Sequence, residues 1–267
     1  MGEILAIASQ KGGVGKTTTA VNLGASFARL GYRTLLVDMD PQGSIATSFG
    51  YGRYDMRAGI LELFTKNQPI EDCIHPTDME LFHFIPANIW SDEIDKSSLF
   101  GTADSHILKK ALAIVKEHYD FIVIDCPPSL GNLTNNALTA ADSLVVPIQC
   151  EYYALKALGR FLKMTRRVKE NLNQELRYRG FLLTMVDTRN NLSRRVINKV
   201  RHTLKGLVFD TIIPRNVRLA EVPYYGRPAI MIDSYSKGAK SYMELAREIL
   251  KQDKELDHEE KPDMVAA

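Results

Sequence analysis

The sequence predicts a single-domain α/β fold, a mostly parallel twisted sheet with helices on both faces. Three observations carry this reading. Helix-like and strand-like patterns alternate along 267 residues, and no Pro-, Gly- or Ser-rich linker divides them. The strand-like segments are short continuous apolar runs, such as Thr34-Leu35-Leu36-Val37 and Phe121-Ile122-Val123-Ile124, the pattern of strands buried on both faces. The first run, Ile4–Ala8, leads through Gln10-Lys11-Gly12-Gly13-Val14-Gly15-Lys16-Thr17-Thr18 into an apolar-periodic segment from Ala20 to Leu30. That order is strand, glycine loop, helix.

The first helix should stop at Gly31. The strand at Thr34–Val37 ends in Asp38-Met39-Asp40-Pro41-Gln42-Gly43. Residues 51–80 are the least legible and suggest only short helical pieces. Leu81–Ile85 reads as a strand closed by Pro86. Ser105–His118 predicts an amphipathic helix, with Ile107, Leu108, Ala111, Leu112 and Val115 on one face. The strand Phe121–Ile124 ends in Asp125-Cys126-Pro127-Pro128-Ser129. Leu144–Ile148 is a strand, followed by a helix from about Ala154 to Glu170. A strand at Phe181–Val186, a basic helix at Leu192–Leu204, a strand at Val208–Ile213 and a helix at Gly238–Leu250 complete the series. Residues 1–250 form the domain, and residues 251–267 read as an acidic, disordered tail.

Composition narrows the function classes. The chain is 45% hydrophobic, and no apolar stretch approaches the ~20 residues of a membrane span. No basic, apolar leader precedes the first strand, which predicts a cytoplasmic protein. Cys73, Cys126 and Cys150 lack metal spacing and read as packed, reduced thiols. The net charge is only +2, yet sixteen Lys/Arg lie between Lys156 and Arg218 against Glu170, Glu175, Asp187 and Asp210.

The glycine loop predicts phosphate binding. Gly12, Gly13 and Gly15 let the backbone wrap an anion with its amides inward, Val14 among them, and the helix start at Lys16, Thr17 and Thr18 adds partial positive charge. Lys16 can reach the β- and γ-phosphates, and the Thr17 hydroxyl can sit on Mg²⁺. The ordinary phosphate-loop pattern requires glycine at position 10; here Gln10 stands there, with an additional lysine at Lys11. Ligands of an open parallel sheet bind beyond the carboxyl ends of its strands, and two more such ends carry carboxylates. Asp125 after Phe-Ile-Val-Ile is a Walker B arrangement, able to hold Mg²⁺ through a water. Asp38 and Asp40 are two apart, on one side of an extended segment. One can orient the loop or the metal shell. Asp40, further out, is assigned the attacking water and a switch role, with Gly43 a flexible backbone contact near the γ-phosphate. Lys11 can supply charge to a leaving-group oxygen, on its own nucleotide or on one held by a second copy.

These residues resemble the ParA/MinD family of deviant-Walker ATPases, whose signature is Lys-Gly-Gly-Val-Gly-Lys-Thr-Thr with Lys11 as the signature lysine. The likeness runs from Ile4 to about Leu250 and is closest to the chromosomal ParA (Soj) branch. Further matches are Val37–Gly43, Ile124–Ser129, Gln149–Leu155 and Ile213–Arg218. The resemblance implies an ATP- and Mg²⁺-dependent homodimer that sandwiches two nucleotides, with Lys11 crossing to the partner's ATP. It implies that Asp40 is the switch for hydrolysis, and that Pro214 and Asn216 lie where adenine is held. It also implies non-specific DNA binding through Arg189 and Arg218, a nucleoid-associated location, and stimulation by a ParB-type partner. Both arginines fall in the basic stretch found by counting. The departure at Ser44-Ile45, where the branch commonly has asparagine, touches the switch segment.

Three other readings compete. A relative that positions a chemoreceptor array, flagellar machinery or a microcompartment would share this chemistry and differ in partner. A MinD-type membrane cycler needs a basic amphipathic C-terminal helix, whereas Asp253 to Asp263 is acidic. A nitrogenase iron-protein relative needs cluster-ligating cysteines, for which Cys126 and Cys150 are poorly placed.

Overall fold

The apolar runs pair side by side into one sheet, and their ends bring the glycine loop and the carboxylates to the same edge. The computed structural model describes residues 2–52, 55–89, 104–129, 131–151, 154–187, 189 and 191–259. Along the chain lie β1 (Glu3–Ile7), α1 (Lys16–Arg29), β2 (Thr34–Asp38), α2 (Ser44–Ser48) and α3 (Ile60–Lys66). A 3-10 turn (Ile70–Cys73), β3 (His75–Pro76), β4 (Phe82–Ile85), α4 (Ile107–Val115) and β5 (Phe121–Asp125) follow. Then come α5 (Asn132–Ala140), β6 (Ser143–Gln149), α6 (Ala154–Asn171), β7 (Arg177–Val186) and α7 (Asn191–Thr203). The series ends with β8 (Val208–Pro214), α8 (Val217–Ala220), α9 (Val222–Tyr225), α10 (Ala229–Ile232) and α11 (Lys237–Glu259).

The sheet order is β3-β4-β2-β5-β1-β6-β7-β8. Among the described residues only the β3–β4 pairing is antiparallel; the other six are parallel. β1 therefore occupies the interior of the sheet, between β5 and β6. Side chains alternate between two cores, as a strand period of two requires. Leu5 and Ile7 face Leu23 and Phe27 of α1 and Leu245 and Ile249 of α11. Ile4 and Ala6 share the opposite core with Leu112, Leu138 and Phe161. Leu5 is fully buried, so truncating it to alanine would cost about 2–5 kcal/mol.

Two differences from the sequence reading have physical causes. Helix α5, absent from that reading, is rich in Asn and Thr, which are weak helix formers. Tertiary contacts hold it: Asn136 is fully buried, and its Oδ1 accepts the Leu108 amide at 3.2 Å. Helix α11 runs past the expected end at Leu250 to Glu259, anchored where Asp253 pairs with Arg179; residues 260–267 lie outside the described part. Part of the basic stretch is taken up inside the fold. Arg179 is buried, with its guanidinium bonded to the Ile249 carbonyl at 2.7 Å, and Arg177 pairs with Glu3 at 3.2 Å. These two cations serve the fold.

Candidate functional site

The glycine loop owes its shape to two residues. Gly13 (φ 71°) and Gly15 (φ 89°) are left-handed, a conformation that costs an ordinary residue about 1–2 kcal/mol. Gly15 also caps α1, so the unpaired amides of the first helical turn open onto the loop. The Thr184 hydroxyl of β7 donates to the Val14 carbonyl at 2.8 Å and ties the loop to its neighbouring strand. Lys16 is only 6% exposed.

Three carboxylates converge beside this loop. Asp38 and Asp125 stand opposite each other across β2 and β5, and Asp125 stands opposite Ile7, the last residue of β1. Both are fully buried. The oxygens of Asp38 are occupied, accepting the amides of Asp40 at 3.1 Å and Ile45 at 3.2 Å. Asp38 thus organises the turn that carries Asp40 into α2. Asp40 is half-buried and accepts the Gln42 amide at 3.0 Å; Gly43 then caps α2.

Asp125 differs from the other two: neither of its oxygens has a hydrogen-bond partner of ordinary geometry. Burial pushes its pKa up to about 7; the Thr17 hydroxyl pulls it down, the Asp40 charge adds to the rise, and the Lys16 ammonium opposes it. Burial, and next the Asp125 charge, raise Asp38 well above the usual carboxylate range. A buried anion without a partner is costly, so this end of the sheet is electrostatically incomplete and fits a divalent cation. Among the described residues no group of three or more His, Cys, Asp or Glu side chains could hold a metal unaided. Thr17 and a water-mediated Asp125 fit Mg²⁺, which keeps several waters and takes the rest of its shell from substrate phosphates.

Lys16, Thr17, Asp38, Asp40 and Asp125 are thus brought together, but Lys11 is held elsewhere. Its ammonium donates to Gln149 Oε1 at 3.1 Å and pairs with Glu151 beyond the end of β6. Pro214 and Asn216 line a cavity of about 200 Å³ that adjoins Gly15 and Thr18. A larger cavity, about 290 Å³, lies at the amino ends of β6 and β7, among residues that include Leu144, Tyr178 and Phe181; it carries none of this equipment. Arg189 and Arg218 follow the carboxyl ends of the adjacent strands β7 and β8. Arg189 is exposed and Arg218 half-buried, and each is neutralised locally. Arg189 pairs with Asp187 at 3.1 Å, and Arg218 pairs with Glu221 at 2.8 Å and Asp233 at 3.7 Å.

Sequence reasoning assigned no role to four contributors. Gln149 and Glu151 retain Lys11, Thr184 braces the loop, and the buried Tyr242 places its hydroxyl 3.1 Å from Thr19 Oγ1 beside the 200 Å³ cavity. Gln149 and Glu151 sit in a quotable motif; Thr184 and Tyr242 have no local signal. All three cysteines are free and buried. Tyr152 and Tyr153 of the same motif lie outside the described residues. Among the described residues no helix is long and apolar enough to cross a membrane.

Comparison with known proteins places this geometry among relatives. The AAA domain family matches residues 2–178. The sporulation initiation inhibitor protein Soj of Bacillus subtilis is 48% identical over 93% of this chain and 98% of its own length. The chromosome partitioning protein ParA of Myxococcus xanthus is 45% identical over 95% of this chain and 89% of its own. A crystal structure of cobyrinic acid a,c-diamide synthase from Mycobacterium smegmatis, with bound ADP and magnesium, superposes with a TM-score of 0.80 at 36% identity, covering 95% of this chain and 96% of that one.

Proposed function

This chain belongs to the ParA/MinD family of P-loop ATPases, in its ParA/Soj chromosome-partitioning branch, and on that premise we propose that it is an ATP-driven DNA-segregation switch. The observation that carries the reading is the buried, incompletely satisfied carboxylate of Asp125, set level with Asp38 and beside Lys16 and Thr17. The loop amides and Lys16 bind the phosphates of ATP. Thr17 and Asp125, through a water, hold Mg²⁺, with Asp40 in its surroundings. When bound, the metal neutralises charge on the β- and γ-phosphate oxygens. Asp40 positions the attacking water, and Gly43 lends its backbone near the γ-phosphate. Pro214 and Asn216 face adenine.

Two copies close around two nucleotides, and Lys11 of each serves the other. To do so it exchanges Gln149 and Glu151 for phosphate. Leaving an exposed pair of this kind costs about 0–1 kcal/mol, less than a charge-assisted phosphate contact returns. The closed pair binds DNA through Arg189 and Arg218 without sequence preference, which places it on the nucleoid, and a ParB-type partner speeds hydrolysis and release. α9, next to Arg218 in the chain, packs against α2, which begins at the Asp40–Gly43 turn. That contact gives the nucleotide state a route to the basic face.

The test is DNA binding against nucleotide state and salt. Binding is expected with ATP and not with ADP, and log affinity should fall linearly with log salt, with the slope shallower by about one for each of Arg189→Ala and Arg218→Ala. Both variants should still dimerise with ATP. Equal DNA binding in every nucleotide state would sink the switch reading. Loss of dimerisation together with DNA binding would remove these arginines from the DNA face.

A further inference from the structure

β7 contains a backbone irregularity that the phosphate loop alone does not require. Against β8 its register runs Leu183 opposite Ile212, then Val186 opposite Pro214. Three steps on β7 therefore match two on β8, so one extra residue is accommodated between them. Within this bulge Met185 takes φ 53°. A bulky non-glycine residue held left-handed is strained and persists only where the surroundings impose it.

The consequence is visible in where the side chains go. In a regular strand, neighbours point to opposite faces. Here Thr184 and Met185 both reach the phosphate loop. The Thr184 hydroxyl bonds the Val14 carbonyl at 2.8 Å, and Met185 Cε lies 3.9 Å from where a Cβ on Gly15 would sit. A bulge beside a ligand site re-aims a side chain in this way. Met185 is half-buried and lines the same cavity of about 200 Å³ as Gly15, Pro214, Asn216 and Tyr242. A thioether is soft and polarisable and packs well on aromatic rings.

We propose that Met185 is a positioning residue for the nucleotide base: the β7 bulge turns its thioether out of the strand's alternation to form an apolar wall of the slot that receives the purine. This rests on the reading of the site as one for ATP. By fixing the base, Met185 sets where the triphosphate enters the loop. It lines the cavity of Pro214 and Asn216, which none of the three carboxylates lines, so it acts on affinity and not on the chemical step.

The experiment compares ATP with inorganic tripolyphosphate, which keeps the phosphates and lacks the base, on the full chain and on Met185→Ala, Met185→Gly and Met185→Leu. For Ala and Gly, KM and Kd for ATP should rise about 10-fold with kcat within twofold, while tripolyphosphate affinity stays within twofold. Met185→Leu, which restores an apolar wall, should recover to within about threefold of the parent. Met185→Gly should not melt below Met185→Ala, because glycine takes the left-handed conformation without strain. ATP affinity unchanged in both Ala and Gly variants would overturn the proposal, as would equal weakening of tripolyphosphate, which would mean that Met185 merely packs the loop. If the parent itself binds ATP no better than Lys16→Ala does, the ATP reading fails, and with it the basis for any base slot.

Discussion

At the β1, β2 and β5 strand ends charge is buried and incompletely partnered; at the β7 and β8 strand ends it reaches solvent and is already neutralised. Asp125 has two oxygens with no hydrogen bond of ordinary geometry, the Thr17 hydroxyl lies beside it, and Asp38 and Lys16 are buried around it. Arg189 and Arg218 carry their own carboxylates, Asp187 and Glu221. The difference separates two kinds of ligand. A buried, incomplete set of charges is preorganised for one small polyvalent ligand, since its desolvation has been met by the fold. An exposed, internally paired set can exchange those pairs for the phosphates of a long polyanion and recover them on release. The first end therefore suits tight, geometrically fixed binding, and the second suits binding that reverses.

The strongest way to break this contrast is at the buried end. Lys16→Ala removes the buried ammonium of the loop and should weaken ATP binding by at least 100-fold, about 3 kcal/mol. Calorimetric titration showing retained affinity would disprove the loop's role. Asp40→Ala should bind ATP with near-parental affinity yet hydrolyse it at least 10-fold more slowly. It should also accumulate as a dimer on size exclusion with ATP; parental turnover would give Asp40 another task. Asp125→Asn should abolish the Mg²⁺ dependence of ATP binding. By removing a buried, unpaired charge, it should also raise nucleotide-free stability by about 2 kcal/mol, several degrees in melting temperature. A lower melting temperature would show that the carboxylate is satisfied in the free protein. The smallest effect belongs to the exposed end. Glu221→Gln unties one partner of Arg218 and should tighten DNA binding about twofold at low salt, with the difference vanishing at high salt. A gain that persists in high salt would mean the pair is not electrostatic in origin.

Legibility followed the same division. The interior strands were readable because burial on both faces demands continuous apolar runs, as in Leu35–Val37 and Ile122–Ile124. The phosphate loop was readable because its hollow needs left-handed backbone, and only Gly13 and Gly15 supply that cheaply. Helix α5 was not, because its Asn and Thr residues favour the helix only once Asn136 is bonded to α4. Nor could a count of cations tell Arg179, buried under α11, from Arg189 in solvent. The bulge at Met185 left no trace in a run that reads as an ordinary strand.

The sequence by itself determined the parallel sheet, the phosphate loop, its unusual lysine and the carboxylates at the neighbouring strand ends. Each of these depends on residue type at short spacing, and local sterics and burial act at that range. Tertiary structure decided which charges meet. It set Asp38 and Asp125 side by side though 87 positions apart, turned Asp38 onto the amides of Asp40 and Ile45 while leaving Asp125 open, parked Lys11 on Gln149 and Glu151, and aimed Met185 at the loop. Strand order and register are fixed by the packing of the whole sheet between two helical layers, and no local window of residues contains that information.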